Sequence, residues 1–132
     1  FCLEKICLCG ITAQPPHRDI QKTALGATES VDWEYYESTL DAITILKNKG
    51  YKIMAVEQAH NSDMLDTYDY DFEHGIALIM GNEVKGVRSE VMECVDGCIE
   101  IPQFGTKHSL NVSVSAGILI WEMFRQYSEL QK

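Results

Sequence analysis

No apolar run in this chain approaches the ~20 residues that a membrane-spanning helix requires, so the expectation is a soluble protein with no membrane partner. Basic residues are scarce: eleven Lys and Arg stand against twenty Asp and Glu, a formal net charge of -9. Because phosphate neutralisation supplies most nucleic-acid affinity, a broad basic face is excluded. A nucleic-acid partner would be met by a small local patch, by a second subunit or by another segment. The five cysteines (Cys2, Cys7, Cys9, Cys94, Cys98) do not pair off evenly, and no spacing among them is the C-x-x-C of a zinc knuckle. A disulfide framework and a metal site are both set aside, leaving reduced thiols and a cytoplasmic setting as the expectation. FCLEKICLCG has neither the basic flank nor the small-residue cleavage site of a signal peptide. It opens on Phe1 rather than Met, which reads as a truncation or an omitted lead-in. Repeats and low-complexity tracts are missing too. Nucleotide fingerprints also fail: Gly81-x4-Gly86 continues with Val87-Arg88 where a P-loop needs Lys and Ser or Thr, and no G-x-G-x-x-G follows a strand.

What remains is ordinary globular composition, 45% hydrophobic and 23% charged over 132 residues, enough for one domain and one core. Phe1 to Glu4 reads as the tail of a helix. Lys5 to Gly10 is a buried strand, Thr12 to Pro16 a loop, and Arg18 to Leu25 a short helix ending at Gly26. Val31 to Tyr35 alternates apolar and acidic residues, a strand with one wet face. Ser38 then caps a helix whose buried stripe is Leu40, Ala42, Ile43 and Leu46 and whose stop is Gly50. Tyr51 to Glu57 is the next buried strand. Gln58 to His74 carries five acids and no Lys or Arg; without EF-hand spacing it reads as a solvated connection with one helical turn at Ser62 to Leu65. Helices alternating with apolar strands imply an α/β fold, a parallel sheet with helices on both faces.

One stretch organises the rest, Ile76 to Trp121. The apolar strand Ile76 to Met80 stops at Gly81, a turn runs to Gly86, and a helical pattern carries Val87, Val91, Met92 and Val95. That arrangement puts backbone N–H groups beside a ligand at the end of a parallel sheet. A second unit comes next: strand Ile99 to Pro102, loop Gln103 to His108, and a long helix from Ser109 to about Tyr127. Leu110, Val112 and Val114 alternate with polar residues as a strand would. The apolar pattern continues to Phe124, however, too far for a strand, and being apolar all round it should be buried all round. Two polar loops so close in sequence suggest one shared pocket.

Gly81-Asn82-Glu83-Val84-Lys85-Gly86, then Ile101-Pro102 and Ser109-Leu110-Asn111-Val112-Ser113, resemble the second and third motifs of the SpoU/TrmH branch of the SPOUT methyltransferases. The ordered set is specific, whereas G-x-E-x-x-G alone would be weak. The resemblance covers nearly the whole chain. It implies transfer of a methyl group from S-adenosylmethionine to a ribose 2′-hydroxyl of tRNA or rRNA, without metal and without DNA. It also implies the trefoil-knot architecture over a single domain, 1–132, with its first strand and helix missing or truncated, and a homodimer built on the last helix. By matching position, Val56, Gly81, Ile101, Ser109 and Leu110 would hold the cofactor, Gly81 because a side chain there would fill the ligand's space. Glu83 and Asn111 would position the acceptor ribose and the catalytic arginine. The plain readings are a turn carboxylate for Glu83, a helix first-turn residue for Asn111 and an N-cap for Ser109. Lys107 and His108 are candidates for meeting substrate phosphate, or are solvated loop residues.

The family's first motif, an Asn followed by the Arg thought to activate the hydroxyl, would precede Lys5. Arg18, Arg88 and Arg125 do not match its position. A chain complete as written would therefore bind cofactor with little or no turnover, and the alternative is a non-catalytic S-adenosylmethionine-binding or dimerisation domain.

Overall fold

The computed structural model describes residues 1–106 and 109–132. The chain divides into two compact units, Cys2–Ile45 and Leu46–Lys132 with Phe1. In the first, strand β1 (Ile6–Cys9) pairs in parallel with β2 (Trp33–Tyr36), Ile6 opposite Trp33 and Cys9 opposite Tyr36. Glu34 is the wet position on β2. It accepts from Lys5 Nζ at 2.9 Å and from the Tyr36 hydroxyl at 2.5 Å, and that hydrogen bond pushes the Tyr36 hydroxyl up to about 12. Between the strands lies α1 (Arg18–Ala24), capped by His17, whose Nδ1 accepts from the Asp19 N–H. The expected helix tail at Phe1 to Glu4 is not formed; no regular structure occurs there.

Helix α2 (Thr39–Asn48) begins where Ser38 Oγ accepts the Asp41 N–H at 3.1 Å, the expected cap. Ala42, Ile43 and Leu46 are buried as the stripe requires, and Leu40 is half-buried.

The larger unit is built on a four-stranded parallel sheet containing β3 (Lys52–Val56), β4 (Asp63–Met64), β5 (Ile76–Met80) and β6 (Gly97–Glu100), in the order β4-β6-β3-β5. Ile53, Met54 and Ala55 of the central strand β3 are fully covered, as a strand flanked on both sides must be. All the strand pairs are parallel, so the α/β class expected from alternating helices and strands is the one adopted.

Several boundaries move. The helix expected after Gly86 is a single turn, α3 (Ser89–Met92), of which only Val91 is buried. β6 starts two residues before Ile99, and Ile101 and Pro102 lie beyond its end. The acidic connection is not merely solvated. It contributes β4 and a 3-10 turn at Leu65–Thr67 in place of the turn expected at Ser62 to Leu65, and it sends Leu65 and Tyr70 into the core with Met54, Ile99 and Leu119. Gln126 holds this segment by its backbone, its Oε1 accepting the Tyr70 N–H at 3.0 Å and its Nε2 donating to the Tyr68 carbonyl at 2.7 Å.

The last helix, α4 (Val112–Leu130), begins three residues later than expected. The expectation of burial all round does not hold. Leu119 is fully buried, but Val114, Ile118, Trp121 and Phe124 are 51%, 38%, 52% and 40% exposed, so one apolar face of α4 is uncovered in the single chain.

Candidate functional site

The carboxyl ends of β3, β5 and β6 are adjacent, and the segments leaving these strands form the wall of one cavity of about 570 Å³. Ligands of open parallel sheets bind in this kind of place, because loops leaving neighbouring strand ends diverge and expose backbone between them. Val56, Gly81, Ile101, Ser109 and Leu110 all line it, and so does Glu83, an exposed side chain on the turn after β5. The two loops singled out in the sequence are therefore brought together. Asn111 is not among the wall residues.

Asn111, rather than Ser109, caps α4. Its Oδ1 accepts the Ser113 N–H at 2.9 Å and is also close to the Ser113 hydroxyl. A backbone donor must face the oxygen of the amide, so the cap decides which end of Asn111 is left over. Its Nδ2 has no partner among the described residues and the side chain is exposed. Lys107 and His108 lie outside the described residues.

The turn after β5 is closed on itself. Asn82 and Gly86 exchange two backbone hydrogen bonds, at 3.1 and 2.8 Å, and Asn82 Oδ1 accepts the N–H groups of Val84 and Lys85 at 2.9 and 3.2 Å. The next N–H, of Val87, donates to Glu57 Oε2 at 3.0 Å. This narrows the expectation that the turn offers backbone N–H groups to a ligand: those of Asn82, Val84, Lys85, Gly86 and Val87 are already taken, which leaves Gly81 and Glu83 to supply any. The reason for glycine at 81 is corrected as well. A Cβ there would lie 2.6 Å from the carbonyl carbon of Gly86 and 2.7 Å from Val87 N, so what needs the space is the returning turn.

Two acids of the cavity wall escaped the sequence reading, Glu57 and Glu100. Glu57 follows β3 immediately; besides Val87, its carboxylate accepts the Gln58 N–H at 3.0 Å. Glu100 closes β6 and accepts from Ser62 Oγ at 2.6 Å. Acids ending the runs YKIMAVE and GCIE were visible as polar residues at the ends of buried strands, which is where a site residue belongs. With Glu83 they make, among the described residues, three carboxylates in the wall against one cation, Lys85. Such a wall favours a ligand with positive charge and opposes one carrying phosphates. No group of three His, Cys, Asp or Glu able to hold a metal occurs among the described residues.

A parallel α/β chain with a nucleoside-sized cavity at three strand ends defines a class of small-molecule-binding protein, and comparison with known proteins narrows it. The SpoU rRNA Methylase family matches residues 1–121, and the chain belongs to that family. It is 34% identical over 104 residues to the tRNA (guanosine(18)-2'-O)-methyltransferase of Aquifex aeolicus, covering 79% of this chain and 48% of that protein. It is 42% identical over 80 residues to the mouse tRNA (guanosine(18)-2'-O)-methyltransferase TARBP1, covering 61% of this chain and 5% of that protein. Among solved structures, the AdoMet-bound rRNA methyltransferase from Sinorhizobium meliloti superposes with a TM-score of 0.84 at 28% identity, covering 92% of this chain and 46% of that one. The chain thus spans about half the length, or less, of these relatives.

Proposed function

We propose that this chain is the S-adenosylmethionine-binding domain, 1–132, of an enzyme that methylates a ribose 2′-hydroxyl of tRNA or rRNA. The observation that carries the reading is the convergence of Val56, Gly81, Glu83, Ile101, Ser109 and Leu110 on one cavity at three parallel strand ends. At about 570 Å³ the cavity lies within the ~300–1,000 Å³ usual for small-molecule sites. Its carboxylates suit a cofactor bearing a sulfonium and an ammonium group, and its apolar strand ends suit an adenine. Family membership and the relatives' names point the same way.

S-adenosylmethionine supplies an electrophilic methyl group on a sulfonium. The chain's own residues hold and orient. Val56, Gly81, Ile101, Ser109 and Leu110 enclose the cofactor; Glu83 and Asn111 position the acceptor ribose and the arginine of the family's first motif that activates its hydroxyl, Asn111 through its free Nδ2. The uncovered face of α4, Val114, Ile118, Trp121 and Phe124, is the surface of a homodimer, since an apolar patch of this kind is costly to leave in water. Dimerisation and further segments would add the basic surface that a chain of net charge -9 lacks. The trefoil knot and a cytoplasmic location complete the reading; no helix among the described residues is long and apolar enough to cross a membrane.

The test is calorimetry with S-adenosylmethionine, then transfer of a labelled methyl group into total tRNA and rRNA by the full-length protein. Binding with 2′-O-methyl product is expected. Absence of binding overturns the reading, and binding without transfer selects a non-catalytic cofactor-binding domain instead.

A further inference from the structure

The turn 81–87 has little packing of its own, since Asn82, Glu83, Val84 and Lys85 are all exposed. Its internal hydrogen bonds fix its shape but not its position over the strand ends. Only one side chain from outside the turn is hydrogen-bonded to it among the described residues, and that is Glu57. The Oε2 of Glu57 accepts the Val87 N–H across thirty residues of sequence, while its Oε1 accepts its neighbour's N–H at Gln58, so both oxygens are committed and the carboxylate plane is fixed. Gly86 has a φ of 64° and packs so closely on this carboxylate that a Cβ there would collide with Oε2. The backbone of Glu57 is held too. Its N–H donates to the Ile99 carbonyl at 3.2 Å, and its carbonyl accepts from Cys98 Sγ at 3.2 Å, which ties it to β6. One residue thereby links the end of β3, the turn after β5 and the end of β6, the three elements that make the cavity.

Resting on the methyltransferase reading above, we propose that Glu57 is a positioning residue for the cofactor, setting the height of the turn 81–87 over the strand ends by holding the Val87 N–H where the turn closes. Glu57 acts through the backbone of Gly86 and Val87, not by chemistry on the methyl group. Consequently cofactor binding depends on it, and the chemical step with bound cofactor does not.

The variants Glu57→Gln and Glu57→Ala in the full-length protein test this. Gln is nearly isosteric but can accept only one of the two N–H groups, because its other end is itself a donor; Ala accepts neither. S-adenosylmethionine affinity is expected to fall about tenfold in Glu57→Ala and by a smaller factor in Glu57→Gln, through an unmatched N–H at the wall. The cofactor KM should rise in parallel, with kcat at saturating cofactor and the KM for RNA within about twofold of the unmutated protein. Amide exchange at Val87 in the cofactor-free protein should speed up in Glu57→Ala, which accepts neither N–H. A lowered melting temperature with unchanged cofactor affinity would reduce Glu57 to a stabilising residue and overturn the proposal, as would a loss confined to kcat. If the unmutated protein binds no cofactor, the methyltransferase reading fails and takes this one with it; if it binds and the variants bind equally, only this inference falls.

Discussion

Gly81 and Gly86 stand back to back: the turn that leaves β5 at Gly81 returns so closely that a Cβ on Gly81 would sit 2.6 Å from the carbonyl carbon of Gly86. No backbone atom can yield to a methyl group at that distance without moving the turn. Gly81→Ala is therefore expected to displace the turn 82–87, to lower stability by about 1–3 kcal/mol, the usual cost of overpacking, and to reduce cofactor affinity together with it. Thermal melts and calorimetry on the same sample check both. An Ala variant that melts and binds as the unmutated protein does would show that the close approach has no energetic consequence.

The occupied N–H groups of the turn make a prediction about ligand class. Asn82, Val84, Lys85, Gly86 and Val87 have none to spare, and the wall carries Glu57, Glu83 and Glu100. Adenosine should compete with S-adenosylmethionine, and ATP should compete far more weakly, because its phosphates meet three carboxylates against the single Lys85 of the described wall. Displacement titrations with the two compounds decide it; equal competition would mean that a phosphate cradle exists after all.

Tyr70 and Gln126 separate a polar group whose hydrogen bond is unmet from one whose bonds are met. The Tyr70 hydroxyl is buried without a hydrogen-bond partner among the described residues, and burial drives it well above its ordinary range. Tyr70→Phe should leave the melting temperature unchanged or raise it, since only an unmet hydroxyl is lost. Gln126→Ala is expected to cost about 1–3 kcal/mol, because it strands the Tyr70 N–H and the Tyr68 carbonyl together. Denaturant unfolding of the two variants should show a loss for Gln126→Ala alone; a larger loss for Tyr70→Phe would contradict the assignment.

One source of acid sensitivity lies in α4. Glu122 accepts from Arg125 at 2.9 and 2.6 Å and from Gln126 Nε2 at 3.0 Å, and these bonds, Arg125 first, hold its carboxyl down from 4.5 to about 2. A carboxyl depressed in the folded state contributes stability that is fully present above its unfolded pKa and is lost as pH falls through the folded one. The contribution of Glu122 should thus decline between about pH 4.5 and pH 2. Glu122→Gln should flatten the stability profile in that window and leave it unchanged at pH 7 to 8 apart from a constant offset; chemical unfolding across the pH series measures this.

Much of the fold was legible because the strands are short apolar runs with polar ends. YKIMAVE and IALIM marked β3 and β5 to within a residue, and Ser38 marked the start of α2. The pocket was legible too, since two glycine and polar loops following buried strands have few other uses. What escaped was hidden by charge. In Gln58 to His74 the acids drew attention away from Tyr68, Tyr70 and Phe72, which alternate with Asp69 and Asp71 and pack with the core. The turn after β5 misled for a different reason. Its pattern gives the number of backbone N–H groups but not their partners, and the partner of Val87 lies thirty residues away at Glu57. Asn111 could be read as ligand or cap from sequence, and the cap at Ser113 uses only one end of its amide.

The central claim is that one cavity at the ends of β3, β5 and β6 receives S-adenosylmethionine, and amide chemical-shift mapping during a titration with that compound addresses it most directly. Saturable shifts concentrated at Val56, Gly81, Ile101, Ser109 and Leu110 are the expected result. Saturation with those amides unmoved, or no saturation at millimolar cofactor, would contradict it.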